Sequence, residues 1–155
     1  MNKSSIVFFI VIILGSVFIC KDAFCLEERN MARTSEFEEI ASKASIKDGV
    51  KEMTYDQLMQ LRNTGEQYIL FDVLQSDSYN NGHIEGAISF PLDTINKGNA
   101  KNKILQDSHV IVYCASFKCP ASTAAAKKLS ELGYSVLDYK GGLKEWQEKG
   151  NGLVK

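Results

Sequence analysis

The chain has 155 residues, 45% hydrophobic and 24% charged, enough to bury one sizeable core and too few for two. Its net charge of −1 leaves no basic surplus for nucleic acid or for an anionic membrane surface. Two of the four cysteines lie within the first 25 residues, and the one close pair beyond them, Cys114 and Cys119, does not make a disulfide-stapled scaffold.

Lys3 is the only charge ahead of an apolar run from Ile6 to Ile19. The run falls short of the roughly 20 residues of a bilayer span and suits the core of a secretory signal peptide. Ala23 and Cys25 supply the small residues of a cleavage site, so residues 1–25 read as a signal peptide and the mature chain is expected to start at Leu26. A lipoprotein site at Cys20, which the bulky Ile19 disfavours, and an uncleaved anchor are the rival readings. Cleavage predicts an exported protein, periplasmic or secreted, with no stable membrane association. Its only thiols would be Cys114 and Cys119. In an oxidising compartment such a pair either forms one bridge or does chemistry.

Residues 26–49 read as an N-terminal extension with a short helix. Ser35 caps it, Glu38 follows three residues on, and Phe37, Ile40, Ala41 and Ala44 share one face, to pack on the domain or on a second copy of it. The Lys47-Asp48-Gly49 turn leads to a strand near Val50–Met53, where a domain spanning 50–155 begins. Thr54 caps a helix with Leu58, Met59 and Leu61 on its apolar side, ending near Gly65. Tyr68–Val73 is nearly continuous in apolar residues, as in a strand covered on both faces. Ile84–Phe90 predicts a short strand, Val110–Tyr113 a strong one, and Pro120–Leu132 a helix stopped by Gly133. Val136–Tyr139 is a strand before Gly141-Gly142, and a last helix holds Leu143 and Trp146. This alternation with short connections predicts an α/β fold with a mainly parallel sheet between helices.

Ligands in open parallel sheets bind at the carboxyl ends of the strands. Cys114 lies there, directly after Val110–Tyr113. The loop Ala115, Ser116, Phe117, Lys118, Cys119 follows, and Pro120 opens a helix. Unpaired N–H groups and the positive end of the helix dipole at such a place are expected to stabilise a Cys114 thiolate and to cradle an anionic substrate. Lys118 adds positive charge. Asp72 ends a neighbouring strand on the same expected face and is a supporting residue.

Phe71-Asp72-Val73, then Gly82-His83-Ile84-Glu85-Gly86-Ala87-Ile88, then Val112-Tyr113-Cys114 resemble the rhodanese-like domain family in order and spacing. Ala125-Ala126, Leu129, Gly133-Tyr134 and Lys140-Gly141-Gly142-Leu143-Lys144-Glu145-Trp146 continue the resemblance over roughly residues 50–150. It implies a five-stranded parallel sheet with helices on both faces. It also implies sulfur transfer, in which Cys114 takes sulfane sulfur from a small donor as a persulfide and passes it to a thiol or another nucleophilic acceptor. The chain departs from the family pattern twice. Leu74 stands where an arginine usually follows the Asp-Val pair. With Ser122 aligned to the serine of the usual Cys-x-x-Gly-x-Arg-Ser loop, this loop is two residues longer and Ala121 takes the arginine position.

His83, in a Gly-His-Ile turn, reads as structural, and His109 lies too far up the strand from Cys114 to be its base. Trp146 and Gly141-Gly142 are expected to buttress the site. Two cysteines and two unlinked histidines lack zinc-ligand spacing, so neither a metal nor a cofactor is expected. The first reading is an exported sulfurtransferase or persulfide carrier. Two others stay open: a thiol–disulfide redox protein cycling a Cys114–Cys119 bridge, and a catalytically inactive binding module.

Overall fold

In the computed structural model the chain divides into two units, Met1–Thr34 and Ser35–Lys155. Residues 12–13, 16–17, 36–105 and 107–155 are described. In the first unit these comprise a two-residue antiparallel pair, Ile12–Ile13 with Ser16–Val17. The expected cleavage site, Leu26 and the Ser35 cap lie outside the described residues. Among the described residues no helix is long and apolar enough to cross a membrane.

The second unit begins with α1 (36–43), whose Phe37, Ile40 and Ala41 are buried in the same core cluster as Leu58 and Leu61. The helix therefore packs on its own domain. Glu66 holds its first turn: both carboxylate oxygens accept the Phe37 amide, at 3.2 and 3.1 Å, and Glu66 itself is buried. A carboxylate at a helix N-terminus satisfies an orphan N–H and meets the positive end of the dipole. On its other side Phe37 stacks on His109 at 4.0 Å.

Next come β1 (Ser45–Lys47) and β2 (Val50–Met53), an antiparallel hairpin. Its two-residue loop is Asp48 (φ 51°) and Gly49 (φ 77°), the Asp-Gly pairing that a tight hairpin with two positive φ values requires. The sequence predicts the turn and β2 but not β1, because all three β1 residues are exposed and carry no buried face. α2 (Tyr55–Thr64) starts with the capping box of Thr54 and Gln57 and stops at Gly65 in the left-handed region. Then follow β3 (Ile69–Asp72), α3 (Ser76–Asn81), β4 (Ala87–Ser89), a 3₁₀ turn (Leu92–Thr94), α4 (Lys97–Lys103), β5 (His109–Tyr113), α5 (Ala121–Glu131), β6 (Ser135–Tyr139) and α6 (Gly142–Glu148).

The sheet order is β1-β2-β6-β5-β3-β4. β2 to β4 in this order are the five expected parallel strands, and β1 is a sixth, added antiparallel at one edge. Alternation along β5 divides the core into two layers. Ile111 and Tyr113 join Phe37, Leu58, Leu137 and Trp146 on one side; Val110, Val112 and Cys114 join Phe71, Ala125 and Leu129 on the other. At the carboxyl ends of the strands, the Val73 amide donates to the Tyr113 carbonyl at 3.1 Å, so β3 and β5 stay paired up to the residue before Cys114.

The attachment of α1 is open to direct test. Phe37→Ala should destabilise the domain by about 3–5 kcal/mol, the usual cost of emptying a buried aromatic site. Glu66→Ala should cost about 1–3 kcal/mol by orphaning a buried amide. Urea unfolding of both variants measures these differences, and a shift near zero for both would mean that α1 adds nothing to the fold.

Candidate active site

Cys114 leaves β5 on the inner side of the Val112 layer and is fully buried. The backbone just beyond it is held by α6. Leu143 and Lys144, in the first turn of that helix, donate their amides to the carbonyls of Cys114 (3.0 Å) and Ala115 (2.9 Å). Gly142 makes this approach possible: its φ is 59°, and a Cβ there would lie 2.1 Å from the Cys114 carbonyl oxygen. Trp146, whose indole N–H donates to the Gly152 carbonyl at 2.9 Å, packs in the opposite core layer. Gly142 makes the close approach that holds the Cys114 backbone, whereas Trp146, expected to buttress the site, packs in the layer on the other side of the sheet.

The loop does not cradle the Cys114 sulfur in amides as expected. Its nearest polar neighbours are the Ser122 hydroxyl at 3.3 Å and the carbonyl oxygens of Cys119 at 3.4 Å and Ser116 at 4.0 Å. Carbonyl oxygens repel an anion and suit a thiol that donates. Burial pushes the Cys114 thiol above its ordinary range, and its hydrogen bond to the Cys119 side chain adds to the rise; the Ser122 hydroxyl and amide oppose it without prevailing. The expectation of a ready Cys114 thiolate is therefore corrected: desolvation outweighs the helix terminus.

The amides converge instead on Cys119, which is only partly buried. Burial would raise its thiol too. It is outweighed by the hydrogen bond from Cys114, by the N–H groups of Ala121 and Ala115 and by the Lys140 charge, so Cys119 ionises below the ordinary thiol range. Within the loop, the Cys119 amide donates to the Ser116 carbonyl at 2.9 Å, turning the chain back on itself. Both thiols are free and sit in one apolar cluster with Leu74, Leu92 and Ala121. Phe117 is 59% exposed. Lys118 lies beside it on a neighbouring cavity of about 440 Å³, shared with Lys140, Lys127 and Thr123, rather than on the Cys114 sulfur.

A polar chain that the sequence reading missed stands behind the loop. The Lys140 ammonium donates to the Cys119 carbonyl at 2.6 Å and to the Thr123 hydroxyl at 2.9 Å. Thr123 in turn donates to the Asp138 carboxylate at 2.9 Å. Asp138 is fully buried, one of its oxygens lacks an aligned partner, and burial lifts its carboxyl above the ordinary range against the pull of Ser122, Thr123 and Lys140. A lone carboxylate inside the apolar run of β6 was the available sign of it.

Asp72 is fully buried at the end of β3, but on the layer opposite Cys114, since it neighbours Tyr113. It accepts the Leu74 amide at 2.9 Å and touches no residue of the active loop. The expectation that it shares a face with Cys114 fails because the side-chain period of two sends adjacent strand ends to opposite sides. His83 is structural, with Nδ1 3.1 Å from the Tyr79 carbonyl and its ring stacked on Tyr79 at 3.7 Å. His109 stands at the other end of β5.

A family model for the rhodanese-like domain matches residues 54–149, more than half of the chain. The chain belongs to the rhodanese-like domain family. It is 31% identical over 99 residues to thiosulfate sulfurtransferase GlpE of Shewanella oneidensis, covering 63% of this chain and 93% of that one. Among solved structures, the BH2092 protein of Bacillus halodurans superposes with a TM-score of 0.64 at 26% identity, covering 81% of this chain and 85% of that one. The rhodanese-like domain of the Alr3790 protein from Anabaena sp. gives 0.59 at 26% identity, covering 66% and 77%. The chain spans a much smaller part of some curated relatives, 26% of a probable molybdopterin-synthase adenylyltransferase from Pyropia yezoensis.

The order of ionisation predicts an order of reactivity. Iodoacetamide titration of the reduced protein should label Cys119 first and at lower pH than Cys114. Lys140→Gln should move the Cys119 profile upward in pH by removing the charge that lowers it. Mass mapping of the labelled peptides reads both effects; Cys114 labelling first would refute the assignment.

Proposed function

We propose that this rhodanese-like domain moves sulfane sulfur through a persulfide on Cys114. The observation that carries this reading is the thiol at the carboxyl end of β5, between a core strand and the start of α5, fixed from behind by α6. The family match over residues 54–149 supports it, as does a relative named as a thiosulfate sulfurtransferase. Loading requires the Cys114 proton to leave. The Cys119 thiolate, which accepts the Cys114 hydrogen bond, is placed to take it. The Cys114 thiolate then attacks the outer sulfur of a donor R–S–SH, giving Cys114–S–SH and R–S⁻.

The surroundings favour donors other than thiosulfate. A dianion is best held by a guanidinium fork. Leu74 and Ala121 occupy the positions of the family's arginines and belong to the apolar cluster around the two sulfurs. Carbonyl oxygens of Cys119 and Ser116 stand beside the Cys114 sulfur along with the Ser122 hydroxyl and amide. An organic persulfide, with one apolar or polar organic arm and a single charge, suits such a site better. The acceptor is a thiol or another nucleophile. The apolar run Ile6–Ile19 and the Ala23/Cys25 pair support export with cleavage before Leu26, to a periplasmic or secreted location.

Cys114→Ser should abolish sulfur transfer from an organic persulfide while preserving the fold, since serine is nearly isosteric and a much weaker nucleophile. Equal turnover by wild type and variant, with circular dichroism unchanged, would place the chemistry elsewhere. With thiosulfate as donor, kcat/KM should fall below about 10⁴ M⁻¹s⁻¹, the lower end of the usual enzyme range. Amino-terminal sequencing of protein recovered from the exported fraction should begin at Leu26; a retained Met1 would favour the anchor, and a lipid on Cys20 the lipoprotein.

A further inference from the structure

Cys119 has no counterpart in the family pattern, yet its neighbours favour an anion there. Two loop and helix amides, Ala115 and Ala121, aim at its sulfur, and the Lys140 ammonium is bound to its own carbonyl. The place where an anionic substrate would be held is filled by the protein's own side chain. The loop turn closed by Cys119 N–H and the Ser116 carbonyl brings residue 119 back over residue 114, so that the Cys119 carbonyl oxygen lies 3.4 Å from the Cys114 sulfur. Both side chains end in one apolar cluster.

From this arrangement we infer that the domain reduces sulfane sulfur to sulfide, with Cys119 as the resolving thiol that breaks the Cys114 persulfide and leaves a Cys114–Cys119 disulfide. The inference rests on the Cys114 persulfide reading above. Its steps balance without any oxidant. R–S⁻ leaving the loading step takes the proton parked on Cys119 and departs as R–SH. The Cys119 thiolate then attacks Sγ of Cys114, the sulfur that it faces, rather than the outer one. The Sγ(114)–Sγ(119) bond forms, the persulfide S–S bond breaks with its electron pair on the outer sulfur, and HS⁻ leaves. The sulfane sulfur is thereby reduced and the two thiols oxidised. An external dithiol reduces the bridge and is itself oxidised to a disulfide, so the sum converts R–S–SH and a dithiol into R–SH, hydrogen sulfide and a disulfide.

The geometry also sets which substrates can complete the cycle. Ala115, Ala121 and Lys140 all favour the Cys119 thiolate, and once that thiolate forms a second anion beside it is opposed. A donor with a charged terminal group would compete with the resolving thiolate, whereas an organic persulfide delivers its sulfur without entering the cradle.

The test uses the full-length protein, reduced and then freed of reductant, mixed with one equivalent of 2-hydroxyethyl persulfide over a pH series that extends above the ordinary thiol range, where Cys114 ionises without Cys119 as its base. Sulfide release and the intact mass are followed together. Wild type should release one sulfide per chain and finish two hydrogens lighter, with Cys114 and Cys119 bridged. Cys119→Ala should instead hold one extra sulfur, mapped to Cys114, and release no sulfide until a thiol is added. Cys119→Ser, closer in shape, should do the same, which guards against a folding defect in the alanine variant. Lys140→Gln should retain sulfide release but shift its pH dependence upward, a shift that a merely structural Cys119 would not produce. A wild-type persulfide that lasts as long as that of Cys119→Ala, or an extra sulfur mapped to Cys119, would overturn the resolving role while leaving Cys114 as the sulfur carrier. Failure of both Cys119 variants to acquire sulfur on Cys114 would overturn the carrier reading and this inference together.

Discussion

Side chains along β5 must alternate between the two faces of the sheet, and the positions of most other groups in the site follow from that one constraint. Val110 and Val112 commit one face to the layer under α5, Ile111 and Tyr113 commit the other to the layer containing α1 and α6, and Cys114 is left with the first. A slip of one residue would exchange the thiol for a tyrosine. The register is secured at the strand end, where the fully buried Tyr113 accepts the Ile84 amide on its hydroxyl at 3.1 Å and its carbonyl accepts the Val73 amide. A buried tyrosine adds about 1.5–3 kcal/mol of burial to that lock.

The site sets an enclosed thiol whose ionisation burial opposes beside a partly exposed one whose ionisation its neighbours favour. Leu74 and Ala121 stand where the family pattern has arginines, and the cation bound to the loop backbone is Lys140, engaged with the Cys119 carbonyl and the Thr123 hydroxyl. Its partner through Thr123 is the buried Asp138 carboxyl. Such a site discriminates by shape and by redox state more than by charge.

Much of this was legible in the sequence, and the failures have physical causes. Continuous apolar runs such as Tyr68–Val73 and Val110–Tyr113 announce strands buried on both faces, and the Thr54 box, Gly65, Pro120 and Gly133 mark helix ends. α3 and α4 gave no such sign. α3 buries no residue and α4 only Ala100; α4 owes its start to Asn96, whose side chain accepts the Asn99 amide at 3.0 Å. Elements held by local caps on a surface leave no apolar period to read. Within the site, the identity of Cys114 and its loop followed from the strand–loop–helix pattern. Which sulfur receives the amides did not, because the answer depends on how the loop folds back between Ser116 and Cys119. Asp138 lies on β6 and Lys140 just past its end, and nothing in their spacing reveals that Thr123, from a different element, joins them.

The hold of α6 on the loop has a consequence for the order in which the molecule is made. The residues that fix the backbone of Cys114 and Ala115 are Leu143 and Lys144, admitted by the bare Cα of Gly142, and a ribosome adds them after the loop. Until that helix emerges, the carbonyls of Cys114 and Ala115 lack these two donors, so a chain cut short before α6 would keep the Ser116–Cys119 turn but lose the hold on the backbone from which it springs.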